Sequence, residues 1–406
     1  MRKPQRRKVF VTGMGAVSAA GIGVDPLWTA ARTGRSAIGE AQFRRAGPNR
    51  VNIAAQVRDF DPEAHIDSKL LPFCDRFSQF AIVAADEAMR QAGLADERLG
   101  PRAAVIIGTG IGGITTVEDV CYADFELQRR VEPLAVPRIM AGAASSHVAM
   151  RYGCTGPVFG VTSACASAAQ AIGIGASLIR AGAVDRAIVG GSEATITPLN
   201  IRVWEMLRVL APQCTRPFSA GRDGMVLGEG AAVLVLEAPE AAQTRDAAPL
   251  AELAGYGTSS NADDIVRPDT EGAVSALRLA LADSGLAPEQ IDYINAHGTG
   301  TIAGDASEAA ALRCVFGSGA ARLPVSSTKP IHGHTLGAAG AIELVVTISA
   351  LQERIAPPTI NWLGPDPKIA LDTIPNAARA VPIAAAMSNS FAFGGINACL
   401  IVTAPD

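Results

Sequence analysis

The chain has 406 residues, of which 49% are hydrophobic and 18% charged, with a formal net charge of −4. This composition suffices for one large core or two domains, and it argues against a nucleic-acid-binding protein, which usually carries a basic face. The seven cysteines are scattered and form no C-x-x-C pair, so we expect reduced thiols in a cytoplasmic protein, without a disulfide framework or a zinc site.

The start of the chain, MRKPQRRKVFVTGMGAVSAAG, superficially resembles a signal peptide, because a basic segment precedes an apolar one. Gly13 and Gly15 interrupt the apolar part, so we interpret Val9–Gly13 as a first strand that ends in a glycine-rich turn. No apolar stretch approaches the roughly 20 residues needed to cross a bilayer, and we expect no membrane span.

The rest of the first half predicts alternating helices and strands. Helices are predicted at Asp25–Thr33, at Asp75–Gly93 and, directly after Pro137, at Arg138–Tyr152. Buried strands are predicted at Ala103–Gly113, which opens into a glycine-rich loop, at Arg186–Gly191 and at Ala231–Leu236. The other segments are interpreted as irregular, namely an exposed stretch at Arg44–Asp61, a loop-rich one at Thr197–Gly230 and a surface connection at Glu240–Asp246.

A second series of elements then echoes the first. Pro249–Gly257 parallels the first strand, and Thr270–Gly285 is a predicted helix. Three later segments parallel a strand, a helix and a strand of the first half: Ile291–Gly300, Gly333–Leu351 and Ile383–Ser390. Strands that alternate with helices twice over predict a duplicated α/β layer architecture.

The stretch VTSACASAAQAIGIGASLIRAG, residues 161–182, is the most informative part of the chain. A strand that turns sharply into an apolar helix places Cys165 at the helix N-terminus, deep in the protein. Free N–H groups and the helix dipole favour an anion there, which can lower the pKa of a thiol and make it a nucleophile. The alternative is a small buried cysteine that merely opens a core helix.

Three further glycine-rich stretches resemble active-site loops: NAHGTGTIAGDASE (295–308), STKPIHGHTLGAAGA (327–341) and SNSFAFGGINA (388–398). A single histidine is more often a satisfied core residue than a catalytic one. However, the chain has only five histidines, and His297, His332 and His334 all lie in such junctions. One nucleophile with two imidazoles in these places is difficult to explain by packing.

With these motifs the sequence resembles the elongating β-ketoacyl-acyl-carrier-protein synthases over nearly its whole length. Three segments are similar in sequence to those of nodulation-type and specialised type II ketosynthases: GPVFGVTSACAS, WEMLRVLAPQCTRPFSAGR and PPTINWLGPDP. The resemblance implies an α/β thiolase fold, in which two βαβαβαββ halves, residues 1–245 and 246–406, form a five-layer αβαβα arrangement.

The resemblance also implies the reaction, a decarboxylative Claisen condensation of an acyl group on Cys165 with malonyl-acyl-carrier protein, in fatty-acid or type II polyketide elongation. Cys165 matches the acylated nucleophile, His297 and His334 the catalytic imidazoles, and Lys329 the lysine that supports them. Substrates are carried on phosphopantetheine, and no metal or redox cofactor is required for the chemistry.

Further roles are implied for residues that match the motifs of the family. The Phe393 position matches the gating aromatic, whose N–H completes an oxyanion hole with that of Cys165. Substrate binding is implied for Thr299, Thr301, Ile111 and Phe391, and support of the site for Asp305 and Glu308. A structural monovalent-cation site found in some members matches Asn295, Glu343, Ser388 and Asn389.

The expected partners are an acyl carrier protein and a second subunit, either an identical chain or a related ketosynthase-like chain. Carrier docking is predicted at Lys69, Arg129, Arg130 and Arg208, and dimer pairing along Gly156–Val161. The sequence departs from the family at Ala392, where a glycine is common, and at Val266, where many members have threonine. His332 is interpreted as peripheral.

Three alternatives remain open. A thiolase acting on CoA thioesters would bring a second catalytic cysteine from the C-terminal loop, where this chain has SFAFGGINA with Cys399 beyond it. A non-catalytic, chain-length-setting subunit would usually lack the nucleophile, which is present. A cysteine-dependent hydrolase would need water at the thioester, which the apolar, glycine-lined surroundings disfavour.

Overall fold

The computed structural model describes residues 7–43, 45 and 47–405. The basic start of the chain at residues 1–6 and residue 44, the first of the predicted irregular segment, lie outside the described residues. The helices are α1 Val24–Thr33, α2 Arg76–Gln91, α3 Ile114–Cys121, α4 Ala135–Ile139, α5 Ala143–Tyr152, α6 Ser167–Arg180, α7 Pro198–Met206, α8 Pro239–Gln243, α9 Thr270–Ser284, α10 Ile302–Phe316, α11 Lys329–His332 and α12 Ala339–Glu353.

The strands include several of only two residues. They are β1 Phe10–Ser18, β2 Gly21–Ile22, β3 Gly39–Glu40, β4 Ile53–Ala54, β5 Ala103–Gly108, β6 Val158–Val161, β7 Arg186–Glu193, β8 Gly230–Glu237, β9 Ala251–Ser260, β10 Tyr293–Asn295, β11 Val325–Ser326, β12 Ile355–Ala356, β13 Arg379–Ala380, β14 Ala385–Ala392 and β15 Ile396–Thr403.

The two halves of the chain have the same topology. The N-terminal half has the strand order β6-β5-β7-β8-β1, and the C-terminal half has β11-β10-β14-β15-β9. In each half three parallel strands are followed by two antiparallel pairings. A short β1–β9 pairing, Phe10 with Glu252 and Val11 with Ala251, joins them. The predicted βαβαβαββ duplication is confirmed, and the division between residues 245 and 246 stays a proposal.

The helices complete five layers. α6 and α12 lie in a central core between the two sheets, together with strand residues from both halves. α2 and α5 cover the outer face of the first sheet, and α9 and α10 cover that of the second. Small residues in α6 allow close packing, since a Cβ at Gly173 would overlap the ring of Tyr256. The predicted αβαβα arrangement is therefore present.

The expectation that no apolar stretch is long enough to cross a bilayer is wrong for one helical segment. Leu336–Glu353 is long and apolar enough, by length and composition, to cross a membrane. However, 89% of it is buried inside the protein, and Ala339 to Leu351 are all buried. This burial marks the segment as the central core helix of the fold.

Two other predictions need correction. β1 does not turn at Gly13 but continues to Ser18, because its glycines allow α2 to approach: a Cβ at Gly13 would overlap the Ala88 carbonyl. The helix predicted after Pro137 is two helices, with Pro137 inside α4 and an extended Met140 between them.

Helix α7 was not predicted, because it lies in the segment interpreted as loop-rich. Thr197 caps it by accepting the N–H of Asn200, and Pro198 starts it. Its apolar residues Leu199, Val203 and Met206 are exposed, so the sequence pattern of a core-facing helix is missing. The helices α3 and α10 and the last strand, β15, were also missed.

Candidate active site

Cys165 lies in a tight turn between an edge strand and a buried helix. β6 ends at Val161 and α6 begins at Ser167. Ser167 Oγ accepts the N–H of Ser163 at 2.9 Å and donates to the Ala164 carbonyl at 2.6 Å. Ala164 has a φ of 48°, which non-glycine residues rarely adopt, so the turn is strained. The predicted strand–turn–helix unit is confirmed.

Two histidines from the C-terminal half reach this turn. His334 Nε2 lies 3.1 Å from Cys165 Sγ, and the His297 ring stands at 82° to the His334 ring, with centroids 5.3 Å apart. Sγ and one ring nitrogen of each histidine lie within 4.8 Å of one another. His332 is fully buried and its Nε2 contacts Thr328 Oγ1 at 2.9 Å, so it does not face the thiol.

The ammonium group of Lys329 lies behind His297. Its Nζ is 3.5 Å from His297 Nδ1 and forms a buried ion pair with Glu343. Burial, and then the charge of Lys329, lowers the pKa of His297 and of His334 well below 6.5, so both imidazoles are neutral at pH 7. A hydrogen bond from Lys329 to Nδ1 leaves Nε2 of His297 as the nitrogen that carries the proton.

Two buried carboxylates hold the backbone of the His297 loop. Glu308 accepts the N–H groups of His297 and Gly298 at 2.9 and 2.8 Å. Asp305 accepts the N–H of Gly300 at 3.0 Å. Burial raises the pKa of Asp305 to about 7 and raises that of Glu308 as well. Both carboxylates therefore shape the His297 loop. Asp305 lies behind the site, whereas Glu308 also lines the cavity.

The expected lowering of the thiol pKa is not found. Burial raises the pKa of Cys165 to about 12, and the nearby Lys329 charge offsets only part of this effect. Removing the thiolate from water raises the pKa by more than the lysine charge and a backbone hydrogen bond lower it. Nucleophilic attack therefore requires that the thiol transfer its proton as it reacts, and His334 Nε2 is in hydrogen-bond contact to receive it.

A cavity of about 440 Å³ opens onto the thiol. Predicted residues that line it are Cys165, His297, His334, Thr299, Thr301, Glu308, Phe391 and Phe393. The hydroxyls of Thr299 and Thr301 lie 3.0 Å apart. Ile111 does not line this cavity and is 41% exposed, so its substrate-binding role stays a prediction. Both departures from the family, Val266 and Ala392, lie in the cavity wall.

Residues in and around the site that were missed from the sequence include Trp204, Arg267 and Glu193. Trp204 of α7 stacks on Phe393, with ring centroids 5.7 Å apart and an interplanar angle of 19°. Arg267 lines the cavity and pairs with Asp263. Glu193, at the end of β7, is buried beside the turn that follows His334. The contacts of Trp204 with Phe393 and of Glu193 with Gly337 join segments distant in the chain, so no local pattern indicates them.

The four predicted docking residues are all exposed: Lys69, Arg129, Arg130 and Arg208. None of them lines the cavity. Arg208 directly precedes Val209, which does, and has a φ of 57°. Their role in carrier binding stays a prediction.

The four residues of the predicted cation site each present a buried oxygen without a hydrogen-bond partner among the described residues. These atoms are Asn295 Oδ1, Glu343 Oε2, Ser388 Oγ and Asn389 Oδ1. Buried polar atoms usually have partners, so this set requires an explanation. Three neutral oxygens and one carboxylate oxygen suit a hard cation of low charge.

Comparison with known proteins gives matches to both halves of the chain. Residues 6–242 match the family described as "Beta-ketoacyl synthase, N-terminal domain", and residues 250–362 match "Beta-ketoacyl synthase, C-terminal domain". Nodulation protein E of Rhizobium sp. (strain N33) is 45% identical over 397 residues, covering 97% of this chain and 98% of that protein. 3-Oxoacyl-[acyl-carrier-protein] synthase 2 of Coxiella burnetii (strain RSA 493 / Nine Mile phase I) is 41% identical, covering 98% and 99%.

Solved structures agree with this result. The ishigamide ketosynthase/chain length factor has a TM-score of 0.95 at 35% identity and covers 99% of this chain and 100% of that one. A type II PKS acyl-carrier protein in complex with its ketosynthase bound to the hexaketide has a TM-score of 0.88 at 31% identity, with the same coverage of both chains. The chain therefore belongs to the β-ketoacyl synthase family and is an acyltransferase of the ketosynthase class.

Proposed function

We propose that this chain carries a growing acyl group on Cys165 and condenses it with malonyl-acyl-carrier protein. The observation that carries the proposal is the convergence of Cys165 Sγ with two neutral imidazoles at one end of an apolar-walled cavity. Purified protein supplied with acyl- and malonyl-carrier should release carbon dioxide and form a β-ketoacyl carrier. Failure to form that product would contradict the proposal.

In the first step Cys165 takes the acyl group from its carrier. The thiol proton passes to His334 Nε2, 3.1 Å away, as Sγ attacks the thioester carbonyl. The carrier thiolate leaves and takes that proton from His334, which returns the imidazole to its neutral form. The N–H groups of Cys165 and Phe393 stabilise the oxyanion of the tetrahedral intermediate.

In the second step the malonyl thioester loses carbon dioxide. The electron pair of the broken C–C bond forms an enolate, whose oxygen accepts a hydrogen bond from Nε2–H of His297. Once Cys165 is acylated there is no thiol proton for His334 to accept, and its Nδ1 has no partner among the described residues, so His334 can adopt the Nε2–H tautomer and donate to the same oxygen. Lys329 fixes the tautomer of His297 that has a proton on Nε2. The hydroxyls of Thr299 and Thr301 orient the malonyl group. The enolate carbon then attacks the Cys165 thioester, and the thiolate leaves. It takes one proton from solvent, which balances the negative charge that the malonyl carboxylate loses as carbon dioxide.

The reaction is assigned to chain elongation in fatty-acid or type II polyketide synthesis. The thiolase alternative is disfavoured, because Cys399 lies buried in β15 and Cys165 is the only cysteine among the described residues that lines the cavity. A further candidate is the ketosynthase subunit of a heterodimer, since a solved relative is a ketosynthase/chain length factor pair.

We also propose a monovalent cation at the four unpartnered oxygens of Asn295, Glu343, Ser388 and Asn389. Bound there, it would neutralise part of the negative charge of Glu343, whose other oxygen pairs with Lys329. Its contribution would be structural, because it holds β10, β14 and α12 together behind the histidines.

A second subunit is proposed to pair along β6. This strand is at one end of the sheet and its Phe159 is 40% exposed, which leaves an unpaired apolar edge. The preceding segment adds exposed apolar residues, among them Ile111, Phe125, Val136 and Met140. Exposed apolar residues that gather into one patch mark a protein–protein interface, and we propose that these residues do so beside β6.

The chain is therefore expected to be a dimer at micromolar concentration, either with itself or with a related subunit. Light scattering of the chain alone, and of the chain mixed with a chain-length-factor-like subunit, measures this. Phe159→Asp should break the dimer and lose condensation activity. A monomer that is fully active on its own would contradict the proposal in both forms.

Reversal of the predicted docking charges is expected to weaken carrier binding selectively. Acyl carrier proteins are acidic and this chain has a net charge of −4, so attraction must come from a local basic patch. Arg130→Glu with Arg208→Glu should raise the KM for acyl-carrier substrates several-fold. It should leave reaction with a small thioester nearly unchanged.

Arg322→Glu is the matched control, since Arg322 is also exposed but follows α10 at the end opposite to the cavity. Arg322→Glu should change neither the KM for acyl-carrier substrates nor the reaction with the small thioester. The wild-type rate with carrier should also fall as salt rises. Equal losses with carrier and small thioester would mean that the two arginines support the fold instead.

A further inference from the structure

Glu193 is a fully buried carboxylate with four hydrogen-bond donors. Its Oε2 accepts the N–H groups of Gly110 at 2.6 Å and Gly337 at 2.9 Å. Its Oε1 accepts the Thr109 hydroxyl at 3.1 Å and, more weakly, the Ile111 N–H at 3.4 Å. Three backbone N–H groups and one hydroxyl thus donate to one side chain. Glu193 has no role in the reaction steps proposed above.

The two loops that meet at this carboxylate leave no room for other side chains. A Cβ at Gly110 would lie 2.8 Å from Glu193 Oε2, and a Cβ at Gly337 would lie 2.6 Å from the same atom. Both distances are below those of real Cβ contacts. The glycines therefore allow the two backbones to approach the carboxylate directly, and the contact is part of the fold of both loops.

Each loop leads to a reacting group. The first follows β5 and touches the nucleophile turn, since Ser167 Oγ lies 3.2 Å from the Thr109 carbonyl oxygen. The second contains Gly337, three residues after His334. The backbone of His334 itself is held from the other side by hydrogen bonds with Val226 and Gly228. Glu193 thus holds the far end of the His334 turn, at Gly337, which the bonds of His334 with Val226 and Gly228 do not reach.

We propose that Glu193 is a positioning residue that holds the His334 turn against the Cys165 turn and so keeps Nε2 in contact with Sγ. A carboxylate suits this place because it only accepts, and each oxygen takes two donors. An amide of the same shape would present an NH₂ group to N–H donors and lose some of these bonds. The catalytic part of the test rests on the proposed function.

Glu193→Gln should lower kcat for condensation about 10- to 100-fold and leave KM within about threefold, as expected when reacting groups are displaced by a fraction of an ångström to an ångström. The matched control is Glu237→Gln. Glu237 is equally buried and lies at the opposite end of the paired strands, where it bonds to Thr12, Arg186 and Arg245. That variant should lower the melting temperature and leave kcat unchanged.

A spectroscopic readout separates this proposal from the proposed function. The chain has five histidines, so labelling their Cε1 atoms with carbon-13 gives five resolvable NMR signals. In Glu193→Gln the His334 signal should shift and broaden, whereas those of His65 and His147 should stay in place. An unchanged His334 signal with kcat within twofold of wild type would overturn the proposal, whatever happens to stability.

If Glu193→Gln does not fold, Thr109→Val provides the test. It removes only the hydroxyl donor to Oε1 and should shift the His334 signal in the same direction by a smaller amount. An unchanged His334 signal in that variant would overturn the proposal. If the wild-type protein fails to condense its substrates, the NMR result still decides whether Glu193 positions His334.

Discussion

Cys165→Ala is expected to abolish acyl loading while leaving malonyl decarboxylation in place. The variant lacks the thiol that forms the thioester, and no other cysteine of the described residues lines the cavity. Decarboxylation depends on the two imidazoles, which the substitution does not remove. Intact mass after incubation with an acyl carrier measures loading, and release of carbon dioxide from malonyl-carrier measures the second activity.

Cys399→Ala is the matched control for this variant. Cys399 is fully buried in the C-terminal half and lies in β15, away from the cavity lining. It should load the acyl group normally, at most with reduced stability from the lost packing. A Cys165→Ala protein that still becomes acylated would contradict the assignment of the nucleophile.

His297→Ala and His334→Ala are each expected to lower condensation by about 10²- to 10³-fold, the usual cost of one oxyanion donor. His334→Ala should in addition slow acyl loading, because its Nε2 contacts the thiol at 3.1 Å. His297 does not make that contact, so His297→Ala should load acyl groups at nearly the wild-type rate. Single-turnover rates of acyl loading and of condensation distinguish the His297→Ala variant from the His334→Ala variant.

His332→Ala is the control from the same loop. Its ring is fully buried and bonds to Thr328 and to the Gly333 carbonyl, so the substitution should cost stability and much less activity. A His332→Ala variant that loses all condensation, together with an active His334→Ala variant, would show that the wrong imidazole has been assigned.

Local patterns predicted the elements that carry strong local signals. α2 and α9 were placed within two residues of their observed ends. In the structure Asp75 and Asp269 cap their starts, and Gly285, with a φ of 74°, ends the second. α7 was missed since its apolar residues face outward. β1 was cut short since Gly13 suggests a turn, whereas tertiary contact with α2 is what requires a residue without a side chain there.

The residues of the candidate site also fall into two groups, those that the local sequence indicates and those that only the tertiary structure brings together. Cys165 could be selected from its strand–turn–helix context, and the histidines from their glycine-rich junctions. Only the family motif favoured His334 over His332, and the structure brings Cys165, His297 and His334 together. The contact of Glu193 with Gly337 joins residues 144 positions apart, for which no periodicity exists. The thiol pKa was expected in the wrong direction, because desolvation depends on burial by segments distant in the chain.

The most direct test of the central claim is the intact mass of the wild-type protein after incubation with a panel of acyl carrier thioesters. We expect a mass increase equal to the acyl group, mapped by peptide digestion to Cys165, and its disappearance when malonyl-carrier is added. The acyl groups that load would also identify the substrate class. Absence of any adduct across the panel, or an adduct on another residue, would contradict the account.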